Sequence, residues 1–87
     1  MARYELRFKA SVAKDLRGVP QADVRRILAC IELLRDDPRP PGSVKLSAQE
    51  RYRLRQGIYR ILYTISDTEV LVEIVKLAHR REAYRES

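Results

Sequence analysis

The chain has 87 residues, 45% hydrophobic and 34% charged, the proportions of one small globular domain and not of a disordered tail or a coiled coil. Eighteen basic against twelve acidic residues leave a net charge of +6, which admits nucleic acid, an anionic membrane or an acidic protein as partner. No apolar run approaches the roughly 20 residues that span a bilayer, and Arg3, Glu5, Arg7 and Lys9 interrupt the opening segment where a signal peptide would be apolar.

Residues 3–8 alternate polar and apolar, so they read as a half-buried strand with Tyr4, Leu6 and Phe8 inward. Ala10 to Arg17 reads as a short helix, with Gly18 as its C′ residue and Pro20 just beyond. Pro20 suits the first position of a second helix, whose stripe is Val24, Ile27, Leu28, Ile31 and Leu34. That helix stops before Pro38, since the residue before a proline disfavours helix. Residues 38–43, Pro-Arg-Pro-Pro-Gly-Ser, form an irregular connection.

The second half is strand. Arg51 to Arg55 alternates, Gln56-Gly57 suits a two-residue hairpin loop, and Ile58 to Ile65 is the return strand. A turn over 66–69 leads into a third strand, Val70 to Leu77, followed by a polar tail from His79 to Ser87. The expected fold class is α+β in the order β-α-α-β-β-β: a helical hairpin packed on one face of a small antiparallel sheet, a single domain over 1–87.

A Gln56-Gly57 loop would pair Arg55 with Ile58, Arg53 with Arg60, and Arg51 with Leu62. The next hairpin would pair Ile65 with Val70, Tyr63 with Val72, and Ile61 with Ile74. One face then collects Tyr52, Leu54, Tyr59, Ile61, Tyr63, Ile65, Val70, Val72 and Ile74, a core face for the helices. The other collects Arg51, Arg53, Arg55, Ile58, Arg60, Leu62, Leu71, Glu73, Val75 and Leu77. Like charges opposite each other on a sheet are destabilising, so an Arg53–Arg60 pair implies an anion between them unless both side chains reach out to solvent.

The charge has an address as well as a total. Residues 45–63 hold five basic and one acidic residue, whereas 64–75 hold three acidic and no basic ones. Residues 76–87 return to four basic against two acidic. Of the 18 basic residues 14 are Arg, whose planar fork grips phosphate in a bidentate way. A basic face with His79, Arg80, Arg81 and Tyr84 at its edge suits RNA, because arginine neutralises phosphate and aromatic rings stack on unpaired bases.

Cys30 lies at the edge of the helical stripe and reads as a small core residue; a lone cysteine fits a reducing cytosol. Asp36-Asp37 reads as a turn-forming pair at a helix end. No Cys/His/Asp spacing suits a metal, and no Gly-rich loop could cradle a nucleotide, so no metal and no cofactor are expected.

The stretch Tyr52-Arg53-Leu54-Arg55-Gln56-Gly57-Ile58-Tyr59-Arg60-Ile61-Leu62-Tyr63 and the ending His79-Arg80-Arg81-Glu82-Ala83-Tyr84-Arg85 resemble the RelE toxins of the RelE/ParE superfamily. The resemblance covers nearly the whole chain and implies a cytoplasmic, metal-independent endoribonuclease. Such a toxin enters the ribosomal A site and cuts the mRNA codon through attack of the 2′-hydroxyl. It also implies a cognate antitoxin that binds and silences the toxin as a hetero-oligomer. Carried over residue by residue, it assigns catalytic roles to Arg53, Arg55, Arg60, Arg80 and Tyr84. Lys45, Arg51, His79 and Arg81 would bind RNA.

Two positions that can be lysine in relatives are arginine here, and arginine is a poor general base. His79 or Tyr84 would then accept the proton, or orientation and electrostatics would dominate. Three other readings share the basic face. They are the ParE branch, which inhibits DNA gyrase by binding, a non-catalytic RNA-binding or antitoxin-docking module, and a ribosome-independent RNase.

Overall fold

The alternating segments do form strands and the periodic segments do form helices. The computed structural model describes residues 3–46 and 51–79. Among them the order is β1 (Glu5–Phe8), α1 (Ala10–Arg17), α2 (Gln21–Leu33), β2 (Val44–Leu46), β3 (Arg51–Gln56), β4 (Tyr59–Ser66) and β5 (Leu71–His79).

The five strands make one sheet in the order β1-β5-β4-β3-β2. It is mixed, not wholly antiparallel: β1 runs parallel to β5, with Leu6 beside Val72 and Phe8 beside Ile74. The helical hairpin carries the chain from β1 at one edge of the sheet to β2 at the other. A short extra strand, β2, borders β3, with Val44 opposite Arg53 and Lys45 opposite Tyr52.

Both helices lie on one face. Val12 of α1, Ile27 and Ile31 of α2, and Leu34 just beyond it pack on Tyr52, Leu54, Tyr59, Ile61, Tyr63, Ile65, Val72, Ile74 and Leu77. Two expected core residues are outside: Leu28 is 41% exposed and Phe8 43% exposed. Leu28 lies at the solvent margin of its stripe, and Phe8 sits at the end of an edge strand. Gly18 caps α1 at φ −88°, without the left-handed conformation expected of a C′ glycine. Cys30 packs against the core as expected, and burial pushes its thiol pKa up.

The β3–β4 register differs from the expected one by two residues. Gln56 pairs with Tyr59, Arg55 with Arg60, and Arg53 with Leu62. The loop is therefore Gly57-Ile58, and Gly57, at φ 61°, takes its first position. A shift of two residues leaves the two faces intact, because side chains alternate with period two. The β4–β5 hairpin is also shifted: Ser66 pairs with Leu71, Ile65 with Val72 and Tyr63 with Ile74. Val70 lies in the turn at φ 55°, a strained conformation for a β-branched residue, and is not the first core residue of the strand.

The β4–β5 pairing then breaks step. After Tyr63–Ile74 the next pairs are Leu62–Lys76, Ile61–Leu77, Arg60–Ala78 and Tyr59–His79. Val75 is the extra residue of a β-bulge, and every later side chain of β5 changes face. Leu77 accordingly joins the core, where it is 4% exposed, and not the arginine face. Its backbone N–H donates to Asp15 Oδ2 at 3.2 Å, which ties α1 to the bulged strand.

A polar clasp closes the opposite end of the sheet. The Arg39 guanidinium donates to both Asp67 carboxylate oxygens, at 3.3 and 2.9 Å, and its Nε donates to Tyr52 Oη at 3.1 Å. Tyr4 Oη donates to Asp67 Oδ1 at 2.7 Å. The Arg39 group also lies 5.4 Å from the Tyr52 ring centre, and Tyr52 stacks on Tyr63. Tyr63 Oη donates to the Pro38 carbonyl at 2.8 Å. As expected, Asp36 and Asp37 organise the helix end: Asp36 accepts from Arg3 Nε at 2.8 Å and Asp37 from the Arg39 backbone N–H at 3.2 Å.

The clasp sets a pH dependence. Arg39 first, then Tyr4, holds the Asp67 carboxyl below its ordinary range. A depressed carboxyl contributes stability above its unfolded pKa and loses it as pH falls through the folded value. The Tm of the wild type should therefore drop more steeply than that of Asp67→Asn as pH falls from about 5 toward 2, an interval that brackets the ordinary carboxylate range. Parallel melting profiles for the two proteins across that interval would refute the assignment.

Candidate nucleic-acid interface

The face away from the helices is where β3, β4 and β5 expose their alternate residues. Successive odd positions of β3 present Arg51, Arg53 and Arg55, and even positions of β4 present Arg60, Leu62 and Thr64. Alternation against a hydrophobic partner face therefore delivers the arginines to one side.

The like-charged pair exists, but it is Arg55–Arg60 and not Arg53–Arg60. Arg53 faces Leu62 and lies diagonally from Arg60. Arg60 is the one charged residue buried among those described, at 8% exposure. Arg53 is half-buried, whereas Arg51 and Arg55 are exposed. Arg55 and Arg60 line a pocket of about 100 Å³ with Gly57 and Ile58 at the hairpin turn. A buried guanidinium beside an exposed one, at a turn with little side-chain bulk, can hold a tetrahedral anion by more than one fork.

The other expected site residues separate. Lys45 is exposed but pairs with Tyr52 on the short edge strand, which puts it on the helix side of the sheet and not on the arginine face. His79 does not border the arginine face. The bulge turns it to the helix side, where its ring meets Tyr59 edge-on at 5.6 Å. There it lines a cleft of about 330 Å³ with Lys14, Asp15, Gly18, Val19, Tyr59 and Leu77. Arg80, Arg81 and Tyr84 lie outside the described residues, as does the polar tail they belong to.

Two basic residues outside the expected set stand on the arginine face, Arg7 opposite Glu73 and Lys76. Lys76, which simple alternation would turn inward, sits opposite Leu62. Nothing in the hydrophobic pattern marks the bulge that places it there. Among the described residues no group of three or more His, Cys, Asp or Glu could hold a metal ion. Among the same residues no helix is long and apolar enough to cross a membrane.

A family model described as the ParE toxin of the type II toxin–antitoxin system parDE matches residues 6–84. The chain belongs to the RelE/ParE toxin family. Toxin RelG of Mycobacterium tuberculosis is 31% identical over 88 residues, covering 94% of this chain and 97% of its own. Toxin RelE of the same organism is 30% identical, covering 94% of this chain and 87% of its own. Among solved structures, the archaeal RelE–RelB complex from Pyrococcus horikoshii OT3 superposes with a TM-score of 0.79 at 27% identity, covering 90% of this chain and 96% of that one. As a RelE/ParE member the protein is the toxin of a type II toxin–antitoxin system, and its helical hairpin on a five-stranded mixed sheet is the RelE-like fold.

Proposed function

We propose that this toxin is a ribosome-dependent mRNA endoribonuclease that cuts the A-site codon without a metal. The observation that carries the reading is the Arg55–Arg60 pair, with Arg53 diagonal to it, on the sheet face free of described helices. Three cations brought together on one face call for a polyanion. The names of the similar toxins, RelG and RelE, favour the RelE branch.

In the reaction the ribose 2′-oxygen attacks the adjacent phosphorus. The O2′–P bond forms and the P–O5′ bond breaks, leaving a 2′,3′-cyclic phosphate and a free 5′-hydroxyl. One proton leaves the 2′-hydroxyl and one reaches the 5′-oxygen. Negative charge gathers on the phosphoryl oxygens in between, and preorganised guanidinium groups stabilise it most where water is excluded, as around Arg60. Arg53 and Arg55 position the RNA, and Arg51 extends the basic margin.

Arg80 serves the leaving oxygen in this reading. Of the two candidates for the 2′-proton, His79 faces the helix side, so the role falls to Tyr84. The guanidinium groups stay protonated and serve as charge. The silencing partner is an antitoxin. Homologous RelE has been crystallised with RelB, and an acidic segment that folds on the toxin would answer its net charge.

The ParE-type description of the matching model makes gyrase inhibition the second reading. Incubating the protein with programmed ribosomes, with free RNA, and separately with gyrase and relaxed plasmid tests both. Cleavage of A-site mRNA, with free RNA intact and supercoiling unaffected, is expected. Blocked supercoiling without any cleavage would replace the nuclease by the ParE reading.

A further inference from the structure

We infer that Lys76 is an additional RNA-backbone contact of the toxin, delivered to the arginine face by the bulge at Val75. The inference rests on the RNA-binding reading of that face.

The phase of β5 decides the direction of Lys76. Before the bulge Ile74 packs in the core opposite Tyr63; after it Leu77 packs in the core opposite Ile61. The two core positions are three apart in sequence, where an unbroken strand allows only even spacings. Lys76, next to buried Leu77, therefore points to the face of Leu62. The Leu77 N–H bond to Asp15 holds the strand in that phase.

On that face Lys76 joins the row Val44–Arg53–Leu62 across β2, β3 and β4. Arg60 lies diagonally on β4, opposite the small Ala78. Diagonal neighbours are about 7–8 Å apart, within reach of long side chains. The carboxylate of the same strand on this face, Glu73, stands one row further, between Thr64 and Arg7. Lys76 thus closes an arc of four cations: Arg55, Arg60, Arg53 and Lys76. Arg55 and Arg60 line the pocket at the turn, and Lys76 sits at the far end of the arc, beside Leu62.

That position separates its work from that of Arg60. A compact ammonium on a flexible stem holds a phosphate as a point charge and does not orient it as a fork does. Lys76 is placed to hold a phosphate flanking the scissile one, and a β-bulge is a recurrent way to re-aim a side chain beside a site.

Lys76→Gln tests this against Lys76→Arg, which restores the charge. The first readout is binding of a short, 2′-deoxy-substituted oligoribonucleotide, which cannot be cut, over a range of salt. Loss of one phosphate contact lowers the slope of log K against log salt by about 0.7 on a single strand. Lys76→Gln should show that fall, and Lys76→Arg should recover it. The second readout is cleavage on programmed ribosomes, where KM should rise several-fold with kcat nearly unchanged. Melting profiles of both variants should match the wild type.

A wild-type salt slope in Lys76→Gln overturns the inference, whatever the cleavage assay returns. Wild-type protein that binds the oligonucleotide but cuts nothing on ribosomes overturns the nuclease reading instead, and leaves the slope to decide the role of Lys76.

Discussion

Arg60→Ala is expected to lower ribosome-dependent mRNA cleavage by about 100-fold or more, the cost of removing one preorganised donor from an anion-stabilising site. Arg60 is the buried member of the Arg55–Arg60 pair, so its charge is the least screened by water on that face. Truncation also removes a packed aliphatic stem, and some loss of stability accompanies it. Arg60→Lys separates the two effects: it keeps a stem and a charge but lacks the planar fork, so it should recover only part of the activity. The measurement is kcat/KM on programmed ribosomes beside a melting profile of each variant. Wild-type cleavage by folded Arg60→Ala would remove Arg60 from the site. Arg80→Ala, tested the same way, should cost at least about tenfold if the tail arginine serves the leaving oxygen.

Ile61→Ala should be among the most damaging core changes. Ile61 is fully buried in β4, the central strand, between Leu54 and Leu77. Shortening a buried isoleucine to alanine costs about 2–5 kcal/mol, through lost transfer energy and the cavity left behind. A domain of this length holds only about 4–13 kcal/mol in total, so the variant should melt more than about 10 °C lower. Leu33→Ala is the control: Leu33 is 66% exposed, and its loss should change stability by about 0.5 kcal/mol or less. Equal losses from the two substitutions would contradict the placement of the core.

The elements that could be read from the chain are those whose evidence is local. Alternation over Arg51–Gln56 and Tyr59–Ser66, and the spacing of Ile27, Ile31 and Leu34, each express one element against one apolar neighbour. What escaped depends on partners far along the chain. The parallel pairing of β1 with β5 joins residues more than sixty positions apart, and nothing in Glu5–Phe8 distinguishes a parallel neighbour from an antiparallel one. β2 is three residues long, too short to show a period.

The arginine face was legible even though its pairs were misassigned, for a simple geometric reason. Moving the loop from Gln56-Gly57 to Gly57-Ile58 shifts the register by two, and an even shift exchanges partners without exchanging faces. The bulge is an odd shift, so the errors gather after Val75: Leu77 and His79 belong to the helix side and Lys76 to the arginine side. The family resemblance supplied the roles of individual residues. The structure supplied the sides of the sheet on which the described ones stand.

The position of β5 also has a consequence in time. The last of the described strands occupies an interior place in the sheet, between β4 and β1. During synthesis β1 therefore emerges long before its hydrogen-bonding neighbour exists, and the intervening helices must wait with it. Contacts of such sequence separation slow folding, because the chain loses loop entropy before the pairing rewards it. The same strand completes the row that holds Lys76 beside Leu62 and Arg53. A growing chain thus presents its basic residues scattered, and the surface that would grip messenger RNA is assembled only when the final strand slots into the middle.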